Sequence, residues 1–305
     1  MKKLILKNSI IVVITILNLS ISTAQTYFAG SGAGAGNTGT LVTGVGTFAI
    51  GLSNSGNANA AFGSNALFNN SSGSSNSAFG ANSLYKNKTG GFNTAVGRSA
   101  LYNNTFGQNN TAIGFNALYL NSNGINNTAI GSEALKANVG SSNTAMGNQS
   151  LFSNTSGYRN TSSGNNGLKL NAKGYENTSI GFAALENNIS GFRNTALGSF
   201  ALQSNTSSAN TAVGIYALQY NITGSSNTAV GHFALQNLTG GLDNVAIGSL
   251  SGLNFNTKNG CTFIGTEADA TVNSLFNSTS IGFRAKVDAS NKVVNYSVQK
   301  LPNLL

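Results

Sequence analysis

The strongest constraint on this chain is a phrase that returns at a fixed interval. Asn-Thr-Ala-Val/Ile-Gly, or a close variant, ends at Gly63, Gly80, Gly97, Gly114, Gly131, Gly147, Gly164, Gly181, Gly198, Gly214, Gly231, Gly248, Gly265 and Gly282. Eleven of the thirteen steps are 17 residues and the other two are 16. A register kept that strictly marks stacked repeats rather than ordinary domains. Counted from each of these glycines, an Ala-Leu pair tends to fall three and four residues on, an Asn seven on and a second Gly about ten on. Asn93-Thr94-Ala95-Val96-Gly97, Ala100-Leu101, Asn104 and Gly107 make one complete copy.

One copy cannot fold alone. Two or three buried side chains supply about 1.5 to 3 kcal/mol each, whereas ordering 17 residues costs roughly 1.5 kcal/mol per residue. The copies must stack, and the expected fold is all-β: a parallel β-solenoid of about 14 coils of 16–17 residues. Thr-Ala-Ile is read as a short strand ended by a Gly able to take positive φ. Ala-Leu is read as a second short strand or an extended corner, because frequent Asn and Gly oppose helix. Both shortened steps lose a residue between Asn138 or Asn205 and the next Asn-Thr-Ala, which places an outer turn there. Thr shares a face with the Val or Ile two residues on, so both are expected to point inward.

Stacking turns the repeat into columns. Asn93, Asn110, Asn127, Asn143, Asn160, Asn177, Asn194, Asn210, Asn227 and Asn244 fall above one another, where amides can bond along the stack as in cross-β Asn ladders. Asn87, Asn104, Asn121, Asn138, Asn154, Asn171, Asn188, Asn205 and Asn221 form a second ladder, and Leu67 through Leu235 a core spine. The structural repeat is therefore assigned to the first ladder and to the turn glycines Gly97, Gly114, Gly131, Gly147, Gly181, Gly198, Gly214 and Gly231.

The segment before the repeats reads differently. Lys2, Lys3 and Lys7 precede the apolar run Ile10–Leu17, and Ser22-Thr23-Ala24 offers small residues for cleavage, so residues 1–24 are expected to be a signal peptide. Residues 25–46 then form a Gly-rich segment or cap, 47–288 the repeat domain and 289–305 a C-terminal extension. No membrane span is expected after cleavage, and the mature chain is expected to be secreted or held at the cell surface. Its formal charge falls from +9 to about +6, with three lysines removed from 16 basic residues against 7 acidic. With one Pro and one Cys, collagen, Pro-rich linkers and a disulfide framework are excluded.

The Asn-Thr-Ala-Ile-Gly unit, followed by small residues and a second Gly, resembles the head repeat of YadA-like trimeric autotransporter adhesins, also met in bacterial tail-fibre-like surface proteins. The resemblance spans roughly residues 47–288. It implies a left-handed parallel β-roll, three chains packed into a rod, and a bacterial outer-surface rod that binds host or matrix surfaces. The sequence carries neither a heptad stalk nor alternating amphipathic strands for a membrane barrel, so self-anchoring is not expected.

No catalytic, cofactor or metal site is expected, and the protein is read as a non-enzyme. Of the seven acidic residues only Glu267 and Asp269 lie close together, and that pair is read as a solvated turn. His232 follows a repeat Gly where other copies carry Arg98, Phe115 or Ser132, an exposed position. Cys261 replaces a ladder Asn and is read as a buried, inert thiol. Gly30–Gly36 lacks the Gly-Lys-Ser/Thr of a phosphate loop. The basic residues form no single column, so nucleic acid is not an expected partner. Two functional classes remain: an adhesive rod, a homotrimer bound to host or matrix surfaces, polysaccharide or other cells, and a monomeric solenoid whose repeated Thr face binds ice or polysaccharide.

Overall fold

A computed structural model describes residues 26–51, 54–254 and 256–295. The expected signal peptide, residues 1–24, lies outside the described residues. Within them the chain is all-β, with no helix. Seventeen short strands, one per coil, form a single parallel sheet from Thr26–Ala29 to Val293–Asn295. Stacked at about 4.8 Å per coil, these strands form a sheet on the order of 75 Å long. The coils extend beyond 47–288 at both ends: Thr26–Ala29 pairs with Val42–Val45, and Thr279–Ile281 with Val293–Asn295.

The register repeats the sequence phase without slippage. Thr94 pairs with Thr111, Ala95 with Ala112 and Val96 with Ile113, and the 16-residue step keeps the same alignment, Thr128 with Thr144. The shortened coils lose their residue in the turn, as expected. Asn104 donates to the carbonyl of Gly107 three residues on, whereas Asn138 and Asn205 reach Gly140 and Ser207 only two residues on.

Two expectations are corrected. In the strands it is the central Ala that points inward: Ala95, Ala112 and Ala129 are fully buried, while Thr94, Thr111 and Thr128 are half-buried and Val96, Ile113 and Ile130 exposed. The Leu spine and the Asn amides already fill the interior, so only a methyl fits between them. The Ala-Leu segment is neither strand nor extended corner but a run of tight turns, closed by Ala100 N–H to Gly97 O (3.3 Å) and Asn104 N–H to Leu101 O (3.1 Å).

Those turns place ordinary residues in the left-handed region. Leu101 and Leu118 have φ of 52° and 51°, and Ser99 and Asn116 in the same turns have 58° and 53°. For a non-Gly residue that costs roughly 1–2 kcal/mol, so it persists where the surroundings determine it. Leu101 is fully buried, and its N–H donates to Ala117 O of the next coil at 2.9 Å. Gly97, at φ 124°, has no such latitude: a Cβ there would sit 2.8 Å from the carbonyl oxygen of Gly114.

Candidate functional site

The interior is organised around amide columns. Asn93 donates to Asn76 Oδ1 (3.1 Å), Asn110 to Asn93 Oδ1 (3.1 Å), and the N–H of each also donates to the preceding Oδ1 (3.0 Å). Asn177, Asn194 and Asn227 repeat this geometry at 3.1–3.2 Å. In the second column Asn104 donates to Asn87 (2.7 Å) and Asn121 to Asn104 (3.0 Å). The columns converge on one acceptor per coil: Gly107 O receives both Asn93 Nδ2 (2.9 Å) and Asn104 Nδ2 (3.0 Å). A ladder Asn thus satisfies an otherwise orphaned turn carbonyl as well as its neighbour.

Around the shortened coils the columns exchange partners. Asn127, Asn143 and Asn210 turn their amides to Asn121, Asn138 and Asn205 of the other column (3.5, 3.3 and 3.2 Å). Both ladders end where the sequence departs from the repeat. Leu238 follows Asn221, whose Oδ1 has no hydrogen-bond partner, and Cys261 follows Asn244. Cys261 is buried and keeps the backbone link, its N–H to Asn244 Oδ1 at 3.0 Å.

The outer surface carries columns too. Phe62, Phe79, Val96, Ile113, Ile130, Met146, Ile180, Leu197, Val230, Ile247 and Ile264 stand on the solvent face of the sheet, each 36–42% exposed, beside the Thr column. Phe68, Tyr85, Tyr102 and Tyr119 stack at 5.0–5.4 Å between ring centroids. After Lys136, Phe152, Lys169 and Glu186 the column becomes amides, with Gln236 donating to Gln219 (2.8 Å) and Gln219 to Gln203 (3.0 Å). Tyr158, Tyr175 and Phe192 form another stack at 4.8–4.9 Å. Beside it Arg159 and Arg193 hold Glu176 at 3.3 and 3.0 Å. Arg193, then Arg159, keep that carboxyl below its ordinary value by hydrogen bonding to its ionised form. These pairs are exposed and contribute little to stability.

The last coils hold a different interior. Gly252 takes the place of the spine Leu after Leu235, and Asp269 the next, paired in register with Lys286. Lys258 occupies a turn position held by Gly241 in the preceding coil. Its side chain is fully buried, with Nζ 3.8 Å from Asp269 Oδ1 and 4.1 Å from the ring centroid of Phe263. Lys286 Nζ lies 3.7 Å from Asp269 Oδ2, an oxygen that also accepts Asn254 Nδ2 (2.8 Å) and Asn254 N (3.2 Å). Burial drives the Lys258 ammonium down to about 6, against the opposing pull of Asp269. Burial likewise raises the Asp269 carboxyl, against the Ala270 N–H.

Glu267 and Asp269 therefore do not form one solvated turn. Asp269 points into the core, while Glu267 points outward to Arg284 at 2.7 Å, whose hydrogen bond lowers its carboxyl. His232 is exposed, its ring 3.9 Å from that of Phe233. Lys258 was not foreseen, although the signal was present: a Lys at a turn Gly, a Gly at a spine Leu and an Asp at the next spine position all fall within 18 residues. Among the described residues no group of three or more His, Cys, Asp or Glu could hold a metal, and no helix is long and apolar enough to cross a membrane. No family model, curated protein or solved structure matches this chain.

Proposed function

We propose that the protein is a non-enzymatic rod of the bacterial outer surface or its surroundings, formed by three copies joined along the sheet. The observation that carries this reading is the outward aliphatic and aromatic column from Phe62 to Ile264. An apolar stripe of that length, interrupted by Ser163 between Met146 and Ile180, is uncommon on a monomer left in water and fits association of copies. The rod then offers its turns and stacked aromatic columns, repeated coil after coil, to host or matrix surfaces, polysaccharide or other cells. Many weak contacts on one rigid body gain by multivalency.

The test is the solution mass of residues 25–305 by light scattering, with circular dichroism on the same peak and binding to cells and matrix proteins. The expected result is a β-rich trimer, converted to a β-rich monomer by Ile113→Arg with Ile130→Arg. A monomeric unsubstituted chain overturns the trimer.

A second reading rests on the Thr column. Thr94, Thr111 and Thr128 face outward beside the aliphatic column on one parallel sheet, a regular array suited to ice or polysaccharide. Stacked rings such as Tyr85 and Tyr102, 9° from parallel, cover each other's faces. That leaves ring edges for a sugar and favours the Thr face within this reading. A monomer with thermal hysteresis abolished by Thr111→Lys supports it; a trimer that covers the face removes it.

A further inference from the structure

The buried group in the last coils is placed for chemistry that a salt bridge does not require. Lys258 comes from the strand Thr257–Asn259 and Asp269 from Asp269–Ala270, in consecutive coils. Side chains 0% and 1% exposed bring Nζ to 3.8 Å from Oδ1. We infer that Lys258 and Asp269 condense to an amide, a covalent staple between these two coils.

The two carboxyl oxygens have different surroundings, and the difference matches the reaction. Oδ1 faces the Lys258 amine and accepts one backbone N–H, that of Ala270, at 2.9 Å. Oδ2 is held by two N–H donors of Asn254, at 2.8 and 3.2 Å, with the Lys286 ammonium at 3.7 Å. Donors fixed on one oxygen stabilise the negative charge that develops there when a nucleophile adds to Cγ. Burial favours the unprotonated, nucleophilic form of the amine and the protonated form of the carboxyl. The Nζ lone pair forms the new C–N bond. The Cγ–Oδ1 bond then breaks, and Oδ1, carrying the carboxyl proton and one proton from nitrogen, leaves as water. The products are one amide and one water, with no change of oxidation state. Lys286, 40% exposed in its side chain, links the group to solvent for proton exchange.

The location gives the bond a use. In a stack of coils, local opening starts where the bonds between neighbours are fewest. Leu238 and Cys261 have ended both Asn ladders before this point. A covalent link replaces what the amide columns supply elsewhere.

Trypsin decides the matter, because it does not cut after an acylated lysine and no Lys or Arg lies between Arg193 and Lys258 or between Lys258 and Arg284. Digestion of the full chain, folded and then denatured, should give one peptide spanning residues 194–284, lighter by one water. Lys258→Met and Asp269→Ala should each restore the full mass. Two separate peptides, 194–258 and 259–284, at full mass would overturn the inference. So would loss of water that persists in Lys258→Met, since that would identify an Asp269 imide instead.

Discussion

The coils from Asn59 to Gly248 and those from Ser249 to Val287 share one backbone register but not one interior. In the first, each layer repeats a buried Leu, a small strand residue and two Asn amides, until Leu238 replaces one Asn in the last of them. In the second, Gly252, Phe263, Asp269 and Lys258 take over, and the Lys258–Asp269 pair sits where the spine ran. Parallel stacking thus fixes the path of the backbone without fixing the chemistry of the core. What each layer must do is satisfy its own turn carbonyls and fill its own volume.

Moving one element of the second region into the first gives the largest expected effect. Leu118→Asp copies Asp269 into a spine position with no lysine to meet it, and a buried, unpaired carboxyl costs about 4 kcal/mol or more. The urea midpoint should fall sharply, and hydrogen exchange should rise first around Leu101 and Leu135. Tolerance at Leu118 equal to that at Asp269 would mean that Lys258 and Lys286 are not what makes the last coils stable.

A smaller effect separates ladder bonding from volume. In Asn110→Ala, Gly124 O retains Asn121 and Asn93 Oδ1 retains the backbone N–H of residue 110, but the N–H of Asn127 loses its acceptor. One buried orphan donor costs about 1–3 kcal/mol. Cys261→Ala removes no such acceptor, since its thiol approaches the carbonyls of Asn259 and Leu275 at 3.6 Å as a weak donor. Its cost should stay below about 1 kcal/mol by the same reasoning. Equal losses in denaturant titration would show that the Asn column acts by filling space.

Both Asn ladders, the Leu spine and the shortened turns could be read from the sequence, because stacking in register converts a period directly into columns. Which strand face points inward could not. A three-residue Thr-Ala-Val alternates either way, and the rule that larger aliphatics go inside fails where Leu101 and Asn93 already occupy the interior. The left-handed Leu was hidden for a similar reason: local propensity opposes it, and only hydrogen bonds to the next coil select it. Asp269 was misread because its partners, Lys258 and Lys286, lie 11 and 17 residues away and meet it only through the stack.

The smallest expected effect comes from an irregularity inside the regular region. Ser162 stands in the Ala column, fully buried, and its hydroxyl has no hydrogen-bond partner. Gly167 stands where other coils have Ala100 or Ala117, and a Cβ there would strike that hydroxyl and lie 3.0 Å from Ser179 Oγ. The two departures read as one accommodation, the missing methyl making room for the oxygen. Ser162→Ala should therefore raise stability by about 1 kcal/mol, because an unsatisfied polar atom leaves the core. Gly167→Ala alone should lower it and should be better tolerated in the Ser162→Ala background, with a coupling of roughly 0.5 kcal/mol or more in a double-mutant cycle. Strict additivity in that cycle would separate the two positions and leave Gly167 without a packing reason.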